Sequence, residues 1–457
     1  MKAKSHSNPL HFFTIVAKNY LSYALVLGES VVRHHPDAAF SIFLMDDPEH
    51  VLRSKIEDRG FSTIYPEEIP LQDYRKFVFK YNITEASTGV KPFVFCALLE
   101  RGAQKIVYLD PDILCFRRFA EVIDALNTSS IVLTPHLCSP VPDDIFPGER
   151  SALRSGVFNL GFIAIRKDNN ASSFIQWWSD HLMLECVAEP DAGLFVDQKW
   201  IDLVPSLFDN VFILRNLGYN IAYWNLHERF LEMRGETLFE AYSGAPVTFF
   251  HFSGLPLDDI NSICKYRAKN PFEKGVSLKR FTLTTRPDLA GLFRMYHQLL
   301  LKADVLALSK SPYSYAAYEN GELISQLERS IYLGSPAWLS SPSDPFAVGK
   351  KSFHNACRKG GVRSARREEA IGSPNAQLNH YGPYRRMIEQ LVRYCLRMLG
   401  PEKYLAFAKY MRHQFLPMNH AFLLRGKQPV ESIPGTNVVG ENLSQTYEKS
   451  ACEGSKV

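Results

Sequence analysis

Three observations predict an α/β protein with a mostly parallel mixed sheet, helices on both faces and a C-terminal helical extension. Apolar runs of strand length recur up to about residue 275, segments of helical spacing alternate with them, and beyond that point the strand signals thin while helical ones continue.

Residues 11–17 (HFFTIVA) are a continuous apolar run suited to a strand buried on both faces. From Tyr20 to His35, Leu21, Ala24, Leu25, Gly28, Val31 and Val32 recur at helical spacing. Phe40 to Met45 (FSIFLM) is a second strand, closed by Asp46, Asp47 and Pro48. Strand, helix and strand in that order make a βαβ unit, the mark of a parallel sheet. The alternation continues with a helix over 50–59, a strand over 62–65, a helix over 92–101 and a strand over 105–109. Further strands are predicted over 131–135, 161–166 and 248–252, with a Trp-rich helix over 171–184 and a short helix over 197–203 between the last two. Helices follow over 289–308, 323–331, 384–399 and 402–415. In such sheets the ligand crevice lies beyond the carboxyl ends of the strands, so the polar residues there are the candidates for function.

The 457-residue chain is 46% hydrophobic, 22% charged and 12% aromatic, which provides for at least one large core. That composition excludes disorder throughout, a collagen-like fibre and a disulfide-stapled miniprotein. The net charge of +4 is unevenly placed: Lys350 to Lys427 carries 16 Lys plus Arg against 4 Asp plus Glu, a local balance of +12. Eight cysteines without a CxxC spacing predict reduced thiols and a cytoplasmic protein. The apolar run near the start is short and stops at Lys18 without a small-residue cleavage site, which reads as a first core strand and not a leader. No stretch approaches the roughly 18–20 apolar residues of a membrane-spanning helix. The expected organisation is a disordered 1–9, an α/β domain over 10–275, a helical extension of it over 276–335, a basic linker or loop over 336–380, basic amphipathic helices over 381–428 and a disordered tail over 429–457.

The most informative segment is KIVYLDPDILCF, from Lys105 to Phe116, in which an apolar strand delivers Asp110 and Asp112 where the chain leaves the sheet. Carboxylates two apart beyond a strand end can share a hard divalent cation, which in turn neutralises a diphosphate. Pro111 stiffens the turn. An ordinary acidic turn also fits such a string. TFFHFSG, from Thr248 to Gly254, is another apolar strand; it releases His251, which offers a nitrogen to the same cation or a structural imidazole. Between them, SGVFNLGFIAIR presents Asn159 and Gly161 at a strand entrance, and FVDQKW presents Asp197 and Gln198.

The order YLDPDIL, SGVFNLGFIAI, VDQ, HFSG resembles the GT-A fold of nucleotide-sugar glycosyltransferases. It is most similar to the retaining family eight group that includes glycogenin and bacterial lipooligosaccharide galactosyltransferases. The resemblance covers about residues 10–270. It implies Mn²⁺ or Mg²⁺ on Asp110, Asp112 and His251, beneath the diphosphate of a nucleotide-sugar donor, a uridine diphosphate sugar before others. It further implies a donor contact from Lys91 in GVKPFVFCALL, a role for Asn159 at the strand entrance, and Asp197 with Gln198 facing donor sugar and acceptor. Ala17, Asn19 and Tyr20, in the first strand-to-helix turn, would hold the base. Two features depart from the group's pattern. Gly254 is followed by LPLDDINSICK, without the lysine of the group's Gly-x-x-Lys-Pro-Trp sequence, leaving Lys265 and Arg267 as substitutes; and Lys18 stands where an acidic residue is common. SPYSYAAYENGELISQLERSIY, from Ser311 to Tyr332, resembles a segment that follows the catalytic core in glycosyltransferases of bacterial polysaccharide gene clusters.

The resemblance thus implies a metal-dependent, retaining hexosyltransferase acting on a saccharide or lipid-linked acceptor, without nucleic acid. The basic region 381–428 either lies on an anionic membrane at the inner face or packs as helices with solvated charges. A catalytically inactive nucleotide-sugar-binding protein shares the same fold. A phosphatase of the haloacid dehalogenase type also uses Asp-x-Asp, but it has Thr or Val where Leu114 stands here and opens its fold with that strand. Base, sugar, acceptor and linkage are not written in these residues.

Overall fold

The computed structural model describes residues 10–362 except 144–146, 236, 260, 267, 270–276 and 279, together with positions 387, 390, 391, 394, 395, 398, 399, 407 and 411. The terminal segments 1–9 and 429–457, and the helices expected over 381–428 apart from those single positions, lie outside the described residues.

The strands up to the candidate site are β1 (Leu10–Val16), β2 (Ala39–Leu44), β3 (Ser62–Ile64), β4 (Lys105–Leu109), β5 (Ile113–Cys115), β6 (Ile131–Pro135), β7 (Phe158–Arg166), β8 (Val211–Ile213), β9 (Leu231–Arg234), β10 (Thr237–Glu240) and β11 (Phe249–His251), followed by a two-residue pair, Ala268–Lys269 and Ser277–Leu278. Seven form one sheet in the order β3-β2-β1-β4-β7-β6-β8. All its pairings are parallel except those of β7, which runs antiparallel to β4 and β6. This is the mixed, mostly parallel α/β sheet that the alternating pattern predicts. Its inner strands are buried on both faces, which is why they read as unbroken apolar runs. Alternation along β1 sends Phe12 into a core with Leu21, Leu25 and Val31 of the helix Leu21–His34. It sends Phe13 against Phe95 of the helix Lys91–Glu100, with ring centroids 4.8 Å apart.

The chain divides into two units, Met1–Gln72 with Ile83–Tyr313, and Asp73–Asn82 with Ser314–Val457. In the first unit the helix Ala290–Lys302 buries Phe293 and Tyr296 against Phe250 and Phe252 of the segment that carries His251. The expected extension 276–335 is therefore split between the units. Of the expected linker or loop over 336–380, the described part, 336–362, contains the helices Pro336–Leu339 and Phe353–Lys359, with Trp338, Phe346 and Phe353 at most 3% exposed. Aromatic residues spaced thinly among Ser, Pro and Gly carry that packing, and their contacts are non-local. Within the second unit Phe79, from the helix Tyr74–Lys80, sits among Tyr332, Phe346 and Phe353. The buried Arg329 donates to the carbonyls of Val78, Phe79, Tyr81 and Tyr315, satisfying acceptors at that helix's C-terminal end. Among the described residues no helix is long and apolar enough to cross a membrane.

Candidate active site

The chain leaves the sheet at Leu109, and the Asp110 N–H donates to the Gly161 carbonyl of β7 at 2.8 Å. The turn around Pro111 closes with Ile113 N–H on the Asp110 carbonyl at 3.2 Å. β5 then pairs antiparallel with β11 in a small separate sheet, Ile113 opposite His251. One residue beyond β11, Phe252 N–H donates to the Asp112 carbonyl at 2.8 Å. This short ladder brings the imidazole to the carboxylates: His251 Nε2 lies 2.9 Å from Asp112 Oδ1 and 3.7 Å from Asp110 Oδ2. One ligand atom from each of the three lies within 4.8 Å of the others, so the group can hold a metal ion. Its donor set of two carboxylate oxygens and one nitrogen fits a divalent cation. His251 is 3% exposed, Asp112 14% and Asp110 29%, so the imidazole forms the floor and the carboxylates open toward solvent. Burial opposes charge on the imidazole, but Asp112, helped by Asp110, outweighs it and raises the His251 pKa.

A second charged group lies behind the first. Lys91, the first residue of its helix, donates from Nζ to Asp197 Oδ2 at 2.7 Å and to the Leu160 carbonyl at 2.9 Å. Both side chains of this pair are 1% exposed. Burial pushes the Asp197 carboxyl up to about 6, with the Lys91 charge pulling the other way. Lys91 Nζ also stands 4.4 Å from the Tyr108 ring centroid, and the Tyr108 hydroxyl donates to Asp110 Oδ1 at 2.6 Å. Tyr108 thus joins the buried pair to the triad. Gln198 works on the backbone: Oε1 accepts Leu160 N–H at 3.0 Å and Nε2 donates to the Ser155 carbonyl at 2.8 Å.

Asn159 stands between two imidazoles, with Oδ1 3.3 Å from His251 Nδ1 and Nδ2 3.3 Å from His136 Nε2. Gly161 makes room for them, since a Cβ there would lie 2.5 Å from His251 Cε1 and 2.9 Å from Asn159 Oδ1. In the first turn, Lys18 N–H donates to Asp46 Oδ1 at 2.7 Å and Tyr20 N–H to the Ala17 carbonyl at 2.9 Å. Asn19 Oδ1 is buried and has no partner among the described residues. Tyr20 stacks on Tyr23 with centroids 4.6 Å apart, and burial together with the charge of Asp112 raises its pKa. Beyond His251, Gly254 adopts φ +68°, and a Cβ there would meet the Tyr266 ring at 2.4 Å. Lys265 N–H returns to the Gly254 carbonyl at 2.8 Å, and Lys265 Nζ lies 5.7 Å from the Tyr266 ring centroid. Arg267 lies outside the described residues.

The structure therefore brings Asp110, Asp112, His251 and Asn159 into direct proximity. It ties Lys91 and Asp197 to them through Tyr108, ties Gln198 to them through the entrance of β7, and sets Tyr20 within the influence of Asp112. Sequence reasoning missed Tyr108, His136 and Trp224. Tyr108 was available from the period of two, which puts it on the same face as Asp110. His136 follows β6 as His251 ends β11, and the rule about strand carboxyl ends applied to both. Trp224 lies in an irregular loop and had no local signal.

No family model matches the chain. The chain is similar to two proteins of Bacillus subtilis (strain 168), the uncharacterized YfnF, at 24% identity over 63% of this chain and 91% of that one, and YfnD, at 22% over 54% and 78%. Among solved structures it is similar to the galactosyltransferase LgtC in complex with donor and acceptor sugar analogues, at 16% identity and TM-score 0.36 over 64% of this chain and 95% of that one. The glycosyltransferase GlyE of Streptococcus pneumoniae TIGR4 matches at 16% identity and TM-score 0.36, over 68% of this chain and 66% of that one. Mouse xyloside xylosyltransferase 1 matches at 13% identity and TM-score 0.33, over 53% and 97%.

Proposed function

We propose that the protein is a metal-dependent glycosyltransferase of the GT-A kind, moving a hexose from a nucleoside diphosphate sugar to a saccharide or glycolipid acceptor with retention. The observation that carries this reading is the convergence of Asp110, Asp112 and His251, from two segments remote in sequence, at the carboxyl end of β4. A divalent cation held there supplies positive charge to the diphosphate leaving group.

The chain's own residues then have distinct tasks. The turn of Ala17, Asn19 and Tyr20 receives the base, for which Asn19 Oδ1 offers an acceptor. Lys265, beside Gly254, takes the diphosphate contact of the missing lysine. Lys91 holds the Asp197 carboxylate in place, and Asp197 with Gln198 positions the donor sugar and shields its far face. The acceptor hydroxyl attacks from the face the diphosphate leaves, giving its proton to a phosphate oxygen, so no strong protein base is required. The phosphatase alternative needs its Asp-bearing strand to open the fold, whereas β4 is fourth in chain order.

Hydrolysis of a panel of nucleotide sugars, with and without Mn²⁺, tests the proposal, and an anomeric NMR assignment of the product decides retention. Calorimetry with uridine diphosphate distinguishes an inactive binder, which takes up the nucleotide but turns over no donor. Absence of both binding and turnover across the panel ends the reading.

A further inference from the structure

Resting on the metal reading, a second layer of the site becomes interpretable. An imidazole that binds a cation through Nε2 must keep its proton on Nδ1. His251 turns Nε2 toward the carboxylates and Nδ1 toward Asn159 Oδ1, 3.3 Å away. An amide oxygen only accepts and an amide nitrogen only donates, so the direction of the Asn159 side chain decides which His251 tautomer is stabilised. With Oδ1 toward His251, the proton sits on Nδ1 and Nε2 presents a lone pair to the cation. With the amide reversed, Nε2 would carry the proton and the site would lose its nitrogen ligand.

What holds the amide in the productive direction is on its other side. Asn159 Nδ2 lies 3.3 Å from His136 Nε2, which can accept only when unprotonated. Burial lowers the His136 pKa to about 4, so the ring is neutral near pH 7 and carries one proton; with that proton on Nδ1, which is buried and has no partner among the described residues, Nε2 is left as an acceptor for Asn159 Nδ2. The backbone that carries the ring is held on both sides. His136 N–H donates to the Val157 carbonyl at 2.9 Å, and Asn225 Nδ2 donates to the His136 carbonyl at 3.0 Å. Trp224 meets both imidazoles edge to face, with centroids 5.2 Å from each.

We infer that Asn159 and His136 are positioning residues for the cation: Asn159 commits its amide to the His251 tautomer, and His136 sets the direction of that amide. Asn159 is thereby assigned to the metal ligand and not to the donor sugar. His136 acts through two intermediaries and touches neither cation nor donor.

The test is Mn²⁺ titration of the full chain without any sugar nucleotide, following unbound Mn²⁺ by electron paramagnetic resonance, with circular dichroism on the same samples. Wild type should bind one ion and His251→Ala should lose it. His136→Leu and Asn159→Leu, which delete the acceptors, should weaken binding about 10- to 100-fold. His136→Gln keeps a side-chain acceptor and should return to within about threefold of wild type, a rescue that a purely structural role would not produce. If wild type binds Mn²⁺ and both Leu variants match it while folded, the inference is overturned and the metal site stands. If His136→Gln is as weak as His136→Leu, or if weakening only follows loss of folded protein, the inference is likewise overturned. Failure of wild type itself to bind Mn²⁺ overturns the metal reading beneath it.

Discussion

Two clusters of charge lie close together and are built in opposite ways. Lys91 and Asp197 are sealed, each 1% exposed and paired with the other, with Lys91 also donating to the Leu160 carbonyl. Asp110, Asp112 and His251 put two negative charges beside one imidazole and leave the carboxylates open, at 29% and 14% exposure. The sealed pair is internally balanced, so losing one partner acts first on folding stability, before any effect on the placement of Asp197. The open triad carries excess negative charge, so its completion is a matter of binding. Tyr108 touches both, with its ring under the Lys91 ammonium and its hydroxyl on Asp110.

The largest expected effect separates the two. Lys91→Met should strand a buried carboxylate and cost about 3–5 kcal/mol in denaturant unfolding, much of it recovered in the Lys91→Met/Asp197→Leu double variant. A cost below about 1 kcal/mol would mean that the pair is hydrated and the contrast false. Asp112→Asn should do the reverse, leaving stability within about 1 kcal/mol of wild type while donor turnover in Mn²⁺ falls at least about 100-fold, a loss of several kcal/mol of transition-state stabilisation. Turnover within about threefold of wild type is incompatible with a metal at this position.

Gly161→Ala probes the triad from beneath. Its methyl would overlap His251 and Asn159, so a cost of about 1–3 kcal/mol and weaker Mn²⁺ binding are expected together. Unchanged Mn²⁺ affinity would show that the imidazole does not serve as a ligand.

The smallest effect is a change in the sign of pH dependence. Because the folded His251 pKa is raised, its ion pair with Asp112 stabilises the metal-free protein below the ordinary His value of about 6.5, and this contribution is lost as pH rises through the raised pKa. Asp197, pushed up to about 6, contributes with the same sign at lower pH. A cation must displace the His251 proton, so saturating Mn²⁺ should add stability that grows with pH. Melting temperatures at pH 5.5–8, with and without Mn²⁺, give the two slopes, and parallel slopes would contradict the assignment.

Much of the architecture was legible in the residues. β4 falls on 105–109 as the apolar pattern places it, and the strands over 131–135 and 62–65 fall within one residue of theirs. These strands are buried, so local hydrophobicity reports them directly. The helices Tyr74–Lys80 and Ile83–Gly89 were not anticipated, nor was the hairpin of β9 and β10, whose exposed residues leave a weak pattern. The packing of 336–362, within the stretch expected as a linker or loop, was not legible, because composition cannot show which of its few aromatic residues meet.

By itself the sequence determined that a buried strand ends in two carboxylates, that another ends in an imidazole, and that a parallel sheet would carry the first. Those are local facts of hydrophobic run and chain exit. Only the tertiary structure decided that β5 and β11 pair and so bring His251 to Asp112, that Lys91 faces Asp197, and that Asn159 lies between His251 and His136. The reason is that contacts between segments remote in the chain depend on how backbones pair and side chains fill space, and no single segment contains that information.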